Sequence, residues 1–583
     1  MNLFSPYHIT RAMGWHTSIF FLLAIFLCSS PAAAQSFDEG IALYQKGEFA
    51  KAATLFDQVH TDQGLLFAGK SYFEIKDFAT AKSRLLNIGD EGDPQIVTEA
   101  NYTLGLIHFR QKDFGDALIR MAPLSGQKLS PQIAAESNEI YHDLLTYLTF
   151  DQRSEILDNV ESDSIKYDVV SSSIGRMDRE KARILFTRMR NENDSLATNE
   201  LEEISAILED ESEYSRLREN TGLEAPSGLV YNIGVALPAY SSENNNYPIA
   251  QGLYLGYTLA AEEFNAQHDV TAELTFHNTG IESDSARQAL DVLSSTGVEA
   301  ILGPLFSEPA QSMAKLSAQH QIPILAPLAN AESIAREDGF FYQINPTFSV
   351  HGKNMARYAV QALNLDKIAV ITEQGSIGQI SAKAFQEEMK ELDAEVPYFF
   401  VEDLGSRGYG LSQYTRYFTT ERSAMAESAV TAVYAPFTGD SAPALMDQLL
   451  GQLNSLESSV TVLGSPEWSN VNTSSGKIGS RPVYFTESFY TRPGSAKISR
   501  FESAFRDRFN KSPNRYAMIG YDTAAFLFKT LERVVNPALL KRGLAAQPPY
   551  QGLITNIHFD GSNINQKLML FKITNSGAHL ISE

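Results

Sequence analysis

Apolar and polar positions change their period once along this chain. From Phe37 to about Leu148 apolar residues recur at helical spacing, and the pattern restarts three times. The restarts are Gly47-Glu48-Phe49-Ala50-Lys51-Ala52, Lys76-Asp77-Phe78-Ala79-Thr80-Ala81 and Lys112-Asp113-Phe114-Gly115-Asp116-Ala117, each with a glycine seven residues upstream: Gly40, Gly69 and Gly105. Helix, short turn, helix is the predicted unit. Those glycines and Ala52, Ala81 and Ala117 let paired helices approach, while Leu43, Tyr72, Phe56 and Leu85 fill the gaps between them. From about Asp151 to Asn220 the chain stays helical and turns acidic, with Leu201, Ile204, Ile207 and Leu208 as an apolar stripe. Turn formers without periodicity, Glu219 to Gly228, then predict a linker.

Beyond the linker, short apolar runs alternate with helical segments. Expected strands are Tyr231–Leu237, Glu273–Asn278, Glu299–Leu302 and Pro323–Ala326, separated by helices near Ile249–Gln267, Ser283–Ser295 and Pro309–Gln319. After Pro346 a second set contains helices Val350–Leu363 and Gln379–Leu392 and strands Lys367–Thr372, Ala432–Ala435 and Thr461–Gly464, with Lys567–Ile573 as a late strand. The predicted class is an α-helical repeat domain followed by an α/β domain of two doubly wound parallel sheets.

Length and charge narrow this picture. A chain of 583 residues exceeds one core, and its formal charge of -23, from 70 acidic against 47 basic side chains, argues against nucleic acid or anionic lipid as a partner. At the N-terminus Arg11, the apolar run Ile19–Leu27 and Pro31-Ala32-Ala33-Ala34-Gln35 read as a secretory leader, residues 1–34, cleaved after Ala34. The run is too short to span a bilayer, so no membrane span is expected in the mature chain. Cys28 is the sole cysteine; Leu27 before it disfavours a lipid attachment site, and a mature chain without cysteine has neither disulfides nor thiolate metal sites. The expected domains are 35–150 (repeats), 151–218 (acidic helices), 219–228 (linker) and 229–583 (α/β).

Candidate chemistry gathers on Val298–Asn330, which predicts one βαβ unit: a strand broken at Gly303-Pro304, a turn carrying Ser307, a helix, and a strand stopping at Ala326-Pro327. Ligands of open parallel sheets collect outside the carboxyl ends of the strands, where helix N-termini present free N–H groups. Ser307 serves there either as a helix N-cap or as a carboxylate ligand. Gly64 to Ser71 matches the P-loop pattern letter for letter, but a phosphate cradle needs a preceding strand and small loop residues, and Leu65-Leu66-Phe67 continues a helix. The chain lacks H-E-x-x-H, G-x-S-x-G and paired-histidine spacing, so neither an enzyme nor a metal or cofactor site is predicted; His351 is placed to cap the next helix.

The ordered landmarks Gly303-Pro304-Leu305-Phe306-Ser307, Pro327-Leu328-Ala329-Asn330, Ile233–Pro238, Ala260–Asn265, Gly464–Asn470, Ile519–Phe528 and Ile557–Asn563 resemble the type I periplasmic binding fold of the leucine/isoleucine/valine-binding proteins, over roughly Gly228 to Glu583. The resemblance implies two lobes, about 229–346 with 488–548 and about 347–487 with 549–583. The chain would cross between them near Pro346, Thr486–Phe489 and Pro548–Gly552, with Pro346 and Gly552 absorbing hinge motion. It also implies a cleft that holds an amino-acid-like small molecule or a cell-wall fragment, with Ser307, Ala329 and Asn330 on its carboxylate and Glu467 on its ammonium. The sequence departs from the family at Ile377, where an aromatic usually stands, at Asn330 for threonine, and at His277-Asn278 for aspartate. The front repeats are tetratricopeptide-like, and repeats before this fold resemble the lipoprotein activators of penicillin-binding proteins. That order implies a protein partner at the repeats, in a soluble periplasmic form lacking the lipid cysteine.

Overall fold

The computed structural model describes residues 31–582 apart from 90, 193–197, 219–222, 336–338, 424, 425, 474, 475 and 575. Residues 1–30 of the leader, with Arg11 and Cys28, and the start of the predicted linker therefore lie outside the described residues. Two compact units divide the chain: the first runs to Tyr231 and takes in 265–271 and 534–538, and the second holds 232–264, 272–533 and 539–583.

The first unit opens with three helical hairpins: α1 (Pro31–Gln45) with α2 (Phe49–Phe56), α3 (Asp62–Glu74) with α4 (Phe78–Leu86), and α5 (Pro94–Gln111) with α6 (Phe114–Met121). Each second helix starts at the phenylalanine of the recurring turn. The upstream glycines explain the tight pairing, because a Cβ on Gly40 would lie 2.7 Å from the Phe56 ring, on Gly69 2.6 Å from Leu85 and on Gly105 2.7 Å from Met121. In all three hairpins the partner stands sixteen positions further on, so one contact repeats. Ala52, Ala81 and Ala117 are fully buried beside it. The P-loop-like letters Gly64 to Ser71 lie inside α3, where Lys70 pairs with Glu99 and the Ser71 hydroxyl donates to the Phe67 carbonyl at 2.7 Å.

Six further helices follow: α7 (Pro131–Tyr147), α8 (Phe150–Asn159), α9 (Asp163–Ser171), α10 (Arg179–Glu192), α11 (Thr198–Glu209) and α12 (Glu211–Arg218). Leu157, Val170, Leu185, Met189, Ile204 and Leu208 form their core, with Leu201 and Ile207 packed against it, so the apolar stripe of the acidic segment is a packed face. Arg153, fully buried, donates to the carbonyls of Leu145, Leu148 and Val169. A guanidinium thus meets the negative ends of α7 and α9, which offsets the cost of burying it.

In the second unit one sheet has the order β2-β1-β3-β4-β5, from β1 (Val230–Leu237), β2 (Thr271–Asn278), β3 (Ala300–Leu302), β4 (Ile324–Ala326) and β5 (Phe341–Gln343), with β1–β3, β3–β4 and β4–β5 parallel. Helices α13 (Tyr247–Gln267), α14 (Ser283–Ser295) and α15 (Ser307–His320) connect its strands. Gly303 sits at φ +118 with its Cβ position 2.1 Å from the Ala236 carbonyl oxygen, so only glycine fits where β3 turns away.

The chain then crosses into α16 (Phe348–Gln361), β6 (Ile368–Glu373), α17 (Gly378–Glu391), β7 (Phe399–Glu402), α18 (Ser412–Thr415), β8 (Ala432–Ala435), α19 (Ala442–Ser455), β9 (Thr461–Gly464) and β10 (Val483–Glu487). It returns through α20 (Ala496–Phe509), α21 (Arg515–Val534) and α22 (Leu540–Ala545), passes the short ribbon β11 (Tyr550–Gln551) and β12 (Asn556–Ile557), and ends in β13 (Met569–Thr574) and β14 (Gly577–Ser582). The second sheet has the order β14-β13-β10-β9-β8-β6-β7. Two parallel sheets were expected, yet this one is mixed: β13 pairs antiparallel with β10 and with β14. A terminal hairpin joined by a tight turn has no room for the crossover a parallel partner needs.

The repeated glycine contact gives the first test. Gly69→Val should destabilise the chain by about 1–3 kcal/mol in denaturant unfolding, as overpacking does. Gly89→Ala, with nothing within 4 Å of its Cβ position, should stay within about 0.5 kcal/mol of the parent.

Candidate functional site

Strand pairing places the turns after β3 and β4 side by side, since Leu302 pairs with Leu325 and both strands run the same way. Ser307 does not cap α15: the helix begins at Ser307 itself, and the cap position is Phe306, whose extended backbone (φ -115, ψ 163) carries the turn one residue further. The Ser307 hydroxyl makes no hydrogen bond among the described residues, at the positive end of a helix of 14 residues.

The neighbouring turn is held from beneath. Gln343, fully buried on β5, donates through Nε2 to the carbonyls of Ala329 at 3.2 Å and Ala331 at 3.1 Å, and its Oε1 accepts from the Ala335 N–H at 3.1 Å. Asn345 donates to the Leu328 carbonyl at 3.0 Å, and Glu332 accepts the Ser349 N–H at 2.9 Å. Ala329 is buried and Asn330 half-buried. The structure thus brings Ser307, Ala329 and Asn330 to one sheet edge. Gln343 and Asn345 escaped the sequence reading because nothing in the letters around them shows which turn their amides brace.

Glu467 lies on the other sheet, in the 3-10 turn Pro466–Asn470 after β9. Trp468, fully buried, anchors that turn by donating from Nε1 to the Ala435 carbonyl at 2.8 Å, and its indole occupies the space a Cβ on Gly464 would need, 2.1 Å away. The Ser465 hydroxyl donates to the Phe437 carbonyl at 2.5 Å. The carboxylate is thereby held with its Oε2 buried and without a hydrogen-bond partner. Burial raises the Glu467 pKa, against its own N–H.

A second carboxylate, absent from the sequence reading, ends β10 beside it. Burial pushes Glu487 up to about 7; Arg515 opposes that, and the nearby Glu467 charge reinforces it. Arg515 starts α21 and donates to the Phe489 carbonyl at 3.1 Å while its guanidinium lies 5.6 Å from the centre of the Phe489 ring. Two desolvated carboxylates at the carboxyl ends of adjacent strands attract a cation that sheds its own water on arrival.

The same strand carries a second set of contacts. His351 lies inside α16, whose cap position is Thr347, so it caps nothing. Instead it is buried against the end of β10, with Nδ1 2.8 Å from Thr486 Oγ1 and Nε2 3.2 Å from Ser488 Oγ. Burial lowers its pKa to about 3, so it stays neutral. At the third crossing, Gly552 donates to the Thr555 carbonyl at 2.8 Å, and a Cβ there would meet the Asp522 carboxylate at 2.4 Å. Among the departures, Ile377 is 49% exposed, and Asn278 Oδ1 accepts the N–H groups of Ala239 and Gly280, each at 2.9 Å, tying the ends of β1 and β2. Among the described residues no helix is long and apolar enough to cross a membrane.

The Glu487 shift fixes a direction for stability. Between about pH 4.5 and 7 an unfolded glutamate ionises while the folded one keeps its proton, so this group's contribution falls as pH rises and levels off above 7. Glu487→Gln should therefore gain on the parent by on the order of 2–3 kcal/mol across that window in urea unfolding; a pH-independent difference would contradict it.

Residues 231–578 match the model of the periplasmic binding protein family, and the chain belongs to that family. No curated protein is similar enough in sequence to match. Solved structures of similar fold include an ABC transporter substrate-binding protein from Desulfitobacterium hafniense in complex with Leu, 18% identical over 60% of this chain and 100% of that one, TM-score 0.42. Another is a branched-chain amino acid ABC transporter protein from Rhodospirillum rubrum, 17% identical over 60% and 100%, TM-score 0.47. Full-length LpoA from Haemophilus influenzae is 14% identical over 94% of this chain and 95% of that one, TM-score 0.45.

Proposed function

We propose that this member of the periplasmic binding protein family is exported, with its leader removed after Ala34, and holds a small amino-acid-like ligand in the cleft of its second unit. The observation that carries the reading is the buried, partnerless Oε2 of Glu467 beside the desolvated Glu487. A polar atom in that state costs about 1–3 kcal/mol until a donor reaches it, and a ligand ammonium is such a donor. The free hydroxyl of Ser307, the helix start behind it and the braced Ala329-Asn330 turn offer the complementary groups for a carboxylate. The role is binding rather than catalysis.

Amino acids and small cell-wall peptides should raise the melting temperature, with a ligand at one hundred times its Kd adding about 2.7 kcal/mol. Glu467→Gln should weaken binding at least tenfold, about 1.4 kcal/mol. The N-acetylated form of the same ligand should bind worse by a similar factor; equal affinity for both forms would remove the ammonium from the argument.

A second reading is favoured by the hairpin array, in which one glycine contact recurs at Gly40, Gly69 and Gly105. Such regular stacks present extended surfaces to proteins, so the repeats would dock a partner in cell-wall synthesis and the chain would act as its scaffold or activator. Removing residues 35–219 separates the two readings. Ligand affinity should persist within about twofold, because Ser307, Ala329, Asn330 and Glu467 all lie in the second unit. Capture of the partner from periplasmic extract, compared at low and high salt, should be lost; retention by the shortened chain would end the docking reading.

A further inference from the structure

The third hairpin differs from the second at one turn. Both turns read Lys-Asp-Phe, Lys76-Asp77-Phe78 and Lys112-Asp113-Phe114. Asp77 caps α4 by accepting the Thr80 N–H at 3.1 Å, whereas Asp113, at the same place before α6, makes no cap bond. Forgoing a cap costs about 1 kcal/mol, so something else holds that carboxylate. It faces His108, on the last turn of α5, with Asp113 Oδ2 3.0 Å from His108 Nδ1 and Asp116 Oδ2 3.5 Å from the same nitrogen. The corresponding positions of the second hairpin are Tyr72 and Thr80, which cannot reproduce the set.

We propose that His108, Asp113 and Asp116 bind a divalent transition-metal ion of the zinc class. The three ligand atoms lie within 4.8 Å of one another. Donors placed tetrahedrally about zinc at ~2.1 Å stand roughly 3.4 Å apart; the imidazole nitrogen is already 3.0 and 3.5 Å from the two carboxylates, and the two exposed aspartate side chains close the remaining separation, at most 4.8 Å, by rotation. The imidazole side chain is 8% exposed, and those of Asp113 and Asp116 are 48% and 55% exposed. That combination holds the nitrogen fixed while leaving an entry path and a water position open. Two carboxylates balance the ion's charge, and one imidazole with two carboxylates suits zinc, cobalt or manganese over the soft Cu(I). Bound metal would tie the end of α5 to the start of α6. The sequence reading sought paired histidines and so passed over one histidine whose companions are aspartates.

The test uses the full mature chain, stripped with chelator and titrated with Zn2+ by calorimetry, and with Co2+ by visible absorption. One ion per chain, a raised melting temperature and a Co2+ spectrum with nitrogen and oxygen donors are expected. Asp116→Asn, at an exposed position, should weaken Zn2+ binding at least tenfold, and His108→Gln should abolish the Co2+ bands, while Asp77→Asn leaves both unchanged. Absence of stoichiometric binding, or binding that Asp116→Asn leaves intact, overturns the site. If His108→Gln fails to fold, Asp116→Asn decides alone.

Discussion

Asp522, without solvent exposure, holds the last return of the chain between the two sheets of the second unit. Its Oδ1 accepts the Leu553 N–H at 2.6 Å, and its Oδ2 accepts those of Ile554 at 2.9 Å and Thr555 at 3.1 Å. Leu553, Ile554 and Thr555 form the loop between β11 and β12, outside that ribbon's ladder, so their buried N–H groups need partners from elsewhere. One carboxylate supplies three of them, although burial pushes its pKa up to about 6 against those donors. From there the contacts spread: Tyr490 donates to the Ile554 carbonyl at 2.7 Å, and the Thr555 hydroxyl to the Ser488 carbonyl at 3.3 Å. Asn565 reaches the Ile344 carbonyl of the first crossing at 2.9 Å. All three crossings are thereby one hydrogen-bonded body.

Because side chains alternate along an extended segment, residues 486–490 serve two neighbourhoods at once. Thr486 and Ser488 turn to His351, while Glu487 turns to the charges of Glu467 and Arg515. A charge arriving at Glu467 acts on a carboxylate whose own strand carries the contacts between crossings. His351 suits such a place because it is neutral. A protonated imidazole there would add an unpaired charge to a buried network, which is costly.

The sequence made the architecture legible wherever apolar runs stand out between turn formers. Strands β8 and β9 and helix α14 fall on their expected residues, and the glycines of the array meet helix partners as their spacing implied. What stayed hidden lacked that contrast or was paired through space. Strand β7 is half-buried at every position, β5 runs straight into the polar Gln343 and Asn345, and β10 ends where a crossing is expected. Half of the acidic pair was hidden for the same reason, since nothing in the letters says that Glu487 ends beside a turn twenty residues earlier. Ser307 and His351 show a different limit. The letters offer Ser307 as a cap or a ligand and His351 as a cap, and in both cases the helix begins one to several residues earlier than the cap requires.

The acidic pair is also where local rules and the fold disagree, and the disagreement is informative. Gly464, Ser465 and Trp468 are each explained by a contact that rigidifies the turn, yet the residue in their midst keeps a buried oxygen with no donor. Ser465 and Trp468 pin the turn on both sides of Glu467 to the carbonyls of Phe437 and Ala435. Stability is withheld at one atom by neighbours that otherwise add to it, a pattern that folded chains keep at sites where a second molecule completes the hydrogen bonding.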